Sequence, residues 1–215
     1  MKRVFAAMTA AVLCLTWPPL SAGAAGEPGV SASCAILVDA EGGRVLMEKN
    51  ADEERAIASI TKLMTALVAV ESTSDLDRTV TIQKEWTLAE GSSMYLREGE
   101  ELTLRELLYG LLLVSGNDAA LAIAGFCAGD TDTFVEWMNL RAQELGMEHT
   151  HFVNPNGLPA EGHYSTAADM AKLAIVVMEQ PDLAEIVGTK SVTMAGRTMT
   201  NHNKLLWRYE GCVGM

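Results

Sequence analysis

The sequence has little of what staples a fold, chelates a metal or spans a membrane. Its four cysteines include no Cys-x-x-Cys pair, and its four histidines include no His-Glu-x-x-His string, so neither common metal-ligand spacing is present. Positive charge is scarce: 16 Lys and Arg face 28 Asp and Glu, a net charge of −12 that repels nucleic acid and anionic lipid. Acidity of this kind otherwise marks a solvated surface and says nothing of a substrate. Internal repeats and low-complexity linkers are absent. The apolar run Phe5–Leu15 is shorter than the ~20 residues a membrane-crossing helix needs, and no second run of spanning length follows.

What is present at the start reads as an export signal. Lys2 and Arg3 form a positive head, the apolar run follows, Trp17-Pro18-Pro19 breaks it, and Ala22-Gly23-Ala24 offers a small-residue cleavage site. Residues 1–24 are therefore expected to be a signal peptide, and 25–215 one extracytoplasmic catalytic domain. The leader carries two positive charges and no negative ones, so its removal takes the net charge from −12 to −14. Cys14 leaves with it. Cys34 and Cys127, both in apolar runs, are expected to be small buried hydrophobes. With 49% hydrophobic residues, the remainder can bury a sizeable core.

The pattern predicts strands at 34–39 and 44–48 joined by Glu41-Gly42-Gly43, and a helix from Ser59 to about Glu71. A mixed region spans 78–101. Thr103 with Glu106, and Thr166 with Asp169, predict capping boxes opening helices to about Val114 and Met178. Between them lie helices from Asp118 to Cys127 and from Thr131 to Gly146, then a turn-rich loop, Asn154-Pro155-Asn156-Gly157-Leu158-Pro159. Residues 190–200 predict two short strands turning at Ala195-Gly196. Strands at both ends and helices between them imply an α+β fold, one antiparallel sheet with a large helical insertion. Trp86, Trp137 and Trp207 read as packing residues.

Two short strings carry chemistry. In Ser59-Ile60-Thr61-Lys62 the serine and lysine lie three apart, on one helix face, so the amine can reach the hydroxyl and take its proton during attack. The bland alternative is a capping serine with a solvated lysine, and a Ser-x-x-Lys arises by chance about once in a chain this long. The charge sign favours the chemical reading. A capping serine prefers Glu or Gln three residues on. A lysine at the positive end of a helix, flanked by Ala58, Ile60, Leu63 and Met64, would have its ammonium form disfavoured and its pKa lowered. The second string, Ser115-Gly116-Asn117, could be a turn in which Asn117 or Asp118 caps the next helix. Alternatively Ser115 relays a proton and the Asn117 amide orients a peptide carbonyl. Each string occurs once, in this order. His163 and Asp169 read as a loop histidine and a helix-capping aspartate; His149, His151 and His202 carry no assignment.

Around these strings the sequence resembles the serine-type D-alanyl-D-alanine carboxypeptidases, the low-molecular-mass penicillin-binding proteins of the serine DD-peptidase and β-lactamase superfamily. The resemblance runs through Ala58–Thr65, Gly91–Leu96 with Gly99-Glu100, Leu107–Ala119, Phe152–Leu158, His163–Ala167 and Thr200–Leu206, nearly the whole chain after the leader. It implies a β-lactamase/DD-peptidase-like α+β fold and acyl transfer. Ser59 would be the nucleophile, Lys62 the general base, Ser115 a proton relay, and Asn117 the residue that orients and binds substrate. It implies peptidoglycan peptides and β-lactam antibiotics as partners, and no metal or organic cofactor. The family's third motif, Lys-Thr-Gly on a central strand, does not occur in the 215 residues. The resemblance therefore implies a chain that stops short of that strand, inactive and poorly stable by itself, with membrane association only through a later region. A class A β-lactamase would need Glu-x-x-Leu-Asn, and the nearest string, Glu136-Trp137-Met138-Asn139-Leu140, has the order reversed. A DD-endopeptidase of the same family and a non-catalytic wall-binding relative remain as alternatives.

Overall fold

The computed structural model describes residues 29–214; the expected signal peptide, 1–24, lies outside them. The chain divides into two units, Met1–Ser31 and Ala32–Met215, and the second holds every element named below.

Strands β1 (Ala35–Asp39) and β2 (Arg44–Lys49) pair antiparallel across the glycine turn, with a register shift between Leu37 and Val38. After β2 the chain makes a 3₁₀ turn, Ala58–Thr61, which runs into helix α1 (Lys62–Ser72). No proline or glycine interrupts 57–72, and the alanines at 66 and 69 help the stretch Met64–Ala69 to bury. Strands β3 (Thr79–Thr81) and β4 (Glu101–Thr103) pair and deliver the chain to α2 (Leu104–Leu113). The predicted capping box is complete: the Thr103 hydroxyl accepts from the Glu106 N–H at 3.1 Å, and the Glu106 carboxylate accepts from the Thr103 N–H at 2.8 Å.

Helix α3 (Asn117–Ala128) is the axle of the helical layer, packing against α1, α2 and α4 (Thr131–Glu144). Its buried face is Ala119, Ala120, Ala122, Ile123 and Ala124, small enough for three neighbours to approach. The large side chains come from those neighbours: Leu107, Leu108, Leu111 and Leu113 of α2, Met64 and Leu67 of α1, Phe134 and Met138 of α4. Each such burial contributes about 1.5–3 kcal/mol.

Helix α5 (Ala167–Glu179) is capped by the Thr166 hydroxyl, but its capping box is half made. The Asp169 carboxylate accepts instead from the His149 N–H, the Thr150 hydroxyl and Lys172. It thus ties the preceding loop to the helix start. Pro181 both stops α5 and, as first residue, opens α6 (Pro181–Gly188), a helix the sequence reading leaves unassigned. Strands β5 (Ser191–Met194) and β6 (Arg197–Thr200) form the predicted last hairpin, followed by the short α7 (Leu205–Arg208).

The class is α+β, as expected, but the six described strands form three separate two-stranded ribbons instead of one sheet. Alternation marks a strand without naming its partner, and a sheet exists only where a neighbouring strand completes the row of N–H and C=O groups. Trp86 and Trp137 pack on the core as expected, whereas Trp207 is half exposed. Cys34 and Cys127 are only partly buried. Among the described residues no helix is long and apolar enough to cross a membrane.

Candidate active site

Ser59 does not cap a helix. It sits, exposed, in the 3₁₀ turn, next to Ala58, whose φ of 45° is the left-handed conformation that non-glycine residues rarely take. One turn on, Lys62 is the first residue of α1 and is 2% exposed. An ammonium has three hydrogens to donate, and here each has an acceptor: the Ser59 Oγ at 3.1 Å, the Asn117 Oδ1 at 2.7 Å and the Asn156 carbonyl oxygen at 2.6 Å. Burial lowers the Lys62 pKa from 10.5 to about 8, against the pull of the Asp118 carboxylate, which raises it. The desolvation comes from the loop and helix that close over the amine rather than from all its sequence neighbours: Met64 is buried, but Ile60 is half exposed.

The Ser115-Gly116-Asn117 string joins α2 to α3. Ser115 has φ 59°, taking the place a glycine often fills after a helix, and its buried Oγ has no hydrogen-bond partner among the described residues. Asn117 is held by the backbone of the 90–92 loop, its N–H donating to the Ser92 carbonyl at 2.7 Å and its side-chain Nδ2 to that of Glu90 at 2.5 Å. Because the amide nitrogen is used there, Oδ1 must face Lys62. Neither Asn117 nor Asp118 caps α3 with its side chain. Asp118, almost completely buried, instead accepts from the Ala119 N–H, the Ser93 hydroxyl and the N–H groups of Met94 and Leu96, fixing the loop that rims the site. The far side of that loop is pinned by Arg197. It donates to the Met94 and Tyr95 carbonyls and makes a two-pronged ion pair with Glu100 at 2.6 and 2.7 Å. Tyr95, at φ 62°, is left 80% exposed.

Sequence reasoning missed the third acceptor. The Asn154–Leu158 loop is a nest of local bonds: the Asn154 Oδ1 accepts from Gly157 N–H, and its Nδ2 donates to the Leu158 carbonyl. Gly157 has φ 79°, and a Cβ there would lie 2.0 Å from the Ala58 carbonyl oxygen, so the loop packs directly on the Ser59 turn. Thr65 Oγ1 also donates to the Pro155 carbonyl at 2.6 Å. The turn-forming string was visible in the sequence. Every residue has a carbonyl, however, and nothing in the string says which one meets Lys62. His163, expected to be an ordinary loop histidine, is 7% exposed and lies 2.7 Å from Thr61 Oγ1.

The fold thus brings Ser59, Lys62 and Asn117 into one hydrogen-bonded cluster. Ser59, Lys62 and Ser115 line the wall of an 870 Å³ cavity, Ser115 with no hydrogen bond to the other three, while Asn117 is buried behind Lys62 and does not line it. The rest of that wall is mainly apolar, including Ile36 and Val38 of β1 and Met170, Ala174 and Met178 of α5. Among the described residues no group of three or more His, Cys, Asp or Glu could hold a metal ion.

Comparison with known proteins identifies the family. The D-alanyl-D-alanine carboxypeptidase family profile, peptidase family S11, matches residues 21–215. The chain is 34% identical over 230 aligned positions to the D-alanyl-D-alanine carboxypeptidase DacF of Bacillus subtilis, covering 100% of this chain and 59% of that protein. It is 37% identical over 193 positions to DacA of Escherichia coli, covering 85% and 48%. The chain therefore spans about half the length of these curated relatives. Its fold is similar to a D-alanyl-D-alanine carboxypeptidase from Mycobacterium tuberculosis, with TM-score 0.85 and 36% identity over 90% of this chain and 75% of that one. It is also similar to penicillin-binding protein 6B from Escherichia coli, with TM-score 0.77 and 34% identity over 85% and 62%. On these matches, the chain belongs to the D-alanyl-D-alanine carboxypeptidase family, S11.

Proposed function

We propose that Ser59 is the nucleophile of an acyl transfer that removes the last D-alanine from peptidoglycan stem peptides ending in D-Ala-D-Ala. The observation that carries this reading is the trio of acceptors around Lys62. When Lys62 loses a proton, the Asn117 Oδ1 and the Asn156 carbonyl can hold its two remaining hydrogens, which leaves its lone pair aimed at the Ser59 hydroxyl. Ser59 then attacks the carbonyl between the two D-alanines as its proton passes to Lys62. The tetrahedral oxyanion forms beside the Ser59 N–H. The departing amine takes a proton through Ser115, whose unpartnered hydroxyl lies in the same cavity wall. Asn117, expected to orient the substrate, has its amide committed to Lys62 and the Glu90 carbonyl and so acts by aiming the lysine. Water, deprotonated by Lys62, hydrolyses the ester and frees the enzyme.

Relatives named as D-alanyl-D-alanine carboxypeptidases and as penicillin-binding proteins support the substrate class, and with it covalent acylation of Ser59 by penicillins. The same reading places the protein outside the cytoplasm, where peptidoglycan lies and where the leader at 1–24 would send it. Cleavage of peptide cross-links by the same residues is the nearest second activity. The 215 residues contain no Lys-Thr-Gly string. If that string supplies a second oxyanion donor, the chain alone acylates about 10²–10³-fold more slowly than a gene product that includes it.

Incubation of the full-length gene product with a fluorescent penicillin tests the reading. The expected result is covalent label that maps to Ser59 and disappears in Ser59→Ala. Label of undiminished intensity in Ser59→Ala would overturn it, and so would a wild-type protein that takes none.

A further inference from the structure

The geometry points to His163 as a positioning residue that, in its neutral Nε2–H tautomer, clamps the 152–158 loop to Thr61 and so holds the Asn156 carbonyl against Lys62. The inference rests on the acyl-transfer reading above and assigns the reaction a further residue, remote from Ser59 in sequence.

The tautomer follows from the bonds. Val153 N–H donates to His163 Nδ1 at 3.0 Å, so that nitrogen carries no hydrogen. The ring's proton is then on Nε2 and is donated to Thr61 Oγ1 at 2.7 Å. Thr61, completely buried, is the last residue of the 3₁₀ turn that holds Ser59, and its neighbour is Lys62. Val153 opens the loop whose Asn156 carbonyl is the third acceptor on that lysine. One imidazole therefore bridges the two chain segments between which Lys62 is aimed. Its edge-on contact with the Phe152 ring, centroids 5.9 Å apart, keeps the plane in place. His163 makes no hydrogen bond to Ser59 or Lys62, so it acts through the backbone it joins.

A second proton would break the clamp. Protonated at Nδ1, the ring would present a donor to the Val153 N–H, also a donor, and the loop would be pushed away. Three other titratable groups lie near. His151, across the 151–164 bridge, disfavours a charge on His163; Lys62 lies beyond Thr61; and Glu161, in the same loop, is exposed to solvent. Burial is the main force holding the His163 pKa below the usual histidine range, and His151 adds to it in the same direction.

The test is the rate of penicillin acylation of the full-length gene product between pH 4.5 and 9, for wild type, His163→Ala and His163→Gln. Glutamine can accept from Val153 N–H and donate to Thr61 Oγ1, while alanine can do neither. His163→Ala is expected to slow acylation by about 10–100-fold at pH 8, the scale of a misplaced catalytic group, with His163→Gln restoring most of the rate. In wild type the plot of log rate against pH should steepen below the histidine range from a slope of 1, set by Lys62, toward 2. In His163→Gln it should stay at 1. Histidine ¹⁵N spectra of the wild type should show His163 as the Nε2–H tautomer. An Nδ1–H tautomer overturns the proposal, as does a His163→Ala protein that matches wild type in rate and slope. A wild type that is never acylated refutes the acyl-transfer reading instead, and the spectra still decide the tautomer.

Discussion

The Nζ of Lys62 lies 2.6 Å from the backbone carbonyl of Asn156, a residue 94 positions further along the chain. That contact, with the Asn117 Oδ1 at 2.7 Å, gives the buried lysine the acceptors that the proposed base role needs. A buried ammonium with no acceptors would unfold or deprotonate the site. With two acceptors fixed by backbone bonds, loss of one proton leaves a lone pair with a single place to point.

The pH dependence follows from this arrangement. The Lys62 pKa is lowered to about 8, so the acylation rate should climb about tenfold per pH unit below that value and level off above it. Asn117→Asp puts a negative charge against the ammonium, which favours the charged form, so the midpoint should move up by about 1–2 units. Asp118→Asn removes the charge that raises the Lys62 pKa, so the midpoint should move down, in a less stable protein. Stability has its own sign. The unfolded chain keeps the lysine proton up to 10.5 and the folded one only to about 8, so the penalty for burying it is full below pH 8 and fades as pH rises to 10.5. Urea unfolding of wild type against Lys62→Met should show the difference between them moving by about 3 kcal/mol in favour of wild type across that window. Midpoints that shift together in the two carboxylate variants would contradict the assignment.

Gly157 is the tightest point of the site. A Cβ there would sit 2.0 Å from the Ala58 carbonyl, and at φ 79° the backbone disfavours any side chain. Gly157→Ala should destabilise the fold by about 2–4 kcal/mol and separate the loop from the Ser59 turn. Thermal denaturation reads the first effect, and penicillin acylation, expected to fall at least tenfold, reads the second. A variant that keeps its melting temperature and loses no activity would show that the loop does not support Lys62.

Ser115 combines a left-handed backbone with a hydroxyl that faces the cavity and has no partner among the described residues, two local costs. Ser115→Gly relieves both, so it should hold or raise stability by up to about 1 kcal/mol while lowering acylation by about 10²-fold. Loss of stability with full activity would mean that the hydroxyl serves the fold and not the reaction.

The sequence by itself determined the elements and the local chemistry. Thr103 with Glu106, Thr166, the Glu41-Gly42-Gly43 and Ala195-Gly196 turns, and the apolar period of 59–71 are settled by neighbours within a few residues, and they stand where they were expected. So does the Ser59–Lys62 contact, because three residues make nearly one helical turn. Tertiary structure decided what depends on groups distant in the chain. Pro181 opens a helix because α6 has α2 and α5 to pack against. Asp169 abandons its capping box for partners in the 149–150 loop. The strands remain three ribbons because pairing is a property of neighbours rather than of alternation. Above all, the Asn156 carbonyl and the His163 ring take their places only when loop 152–158 folds onto the Ser59 turn. A backbone oxygen has no sequence signature, and a histidine's role is set by the groups brought to its two nitrogens.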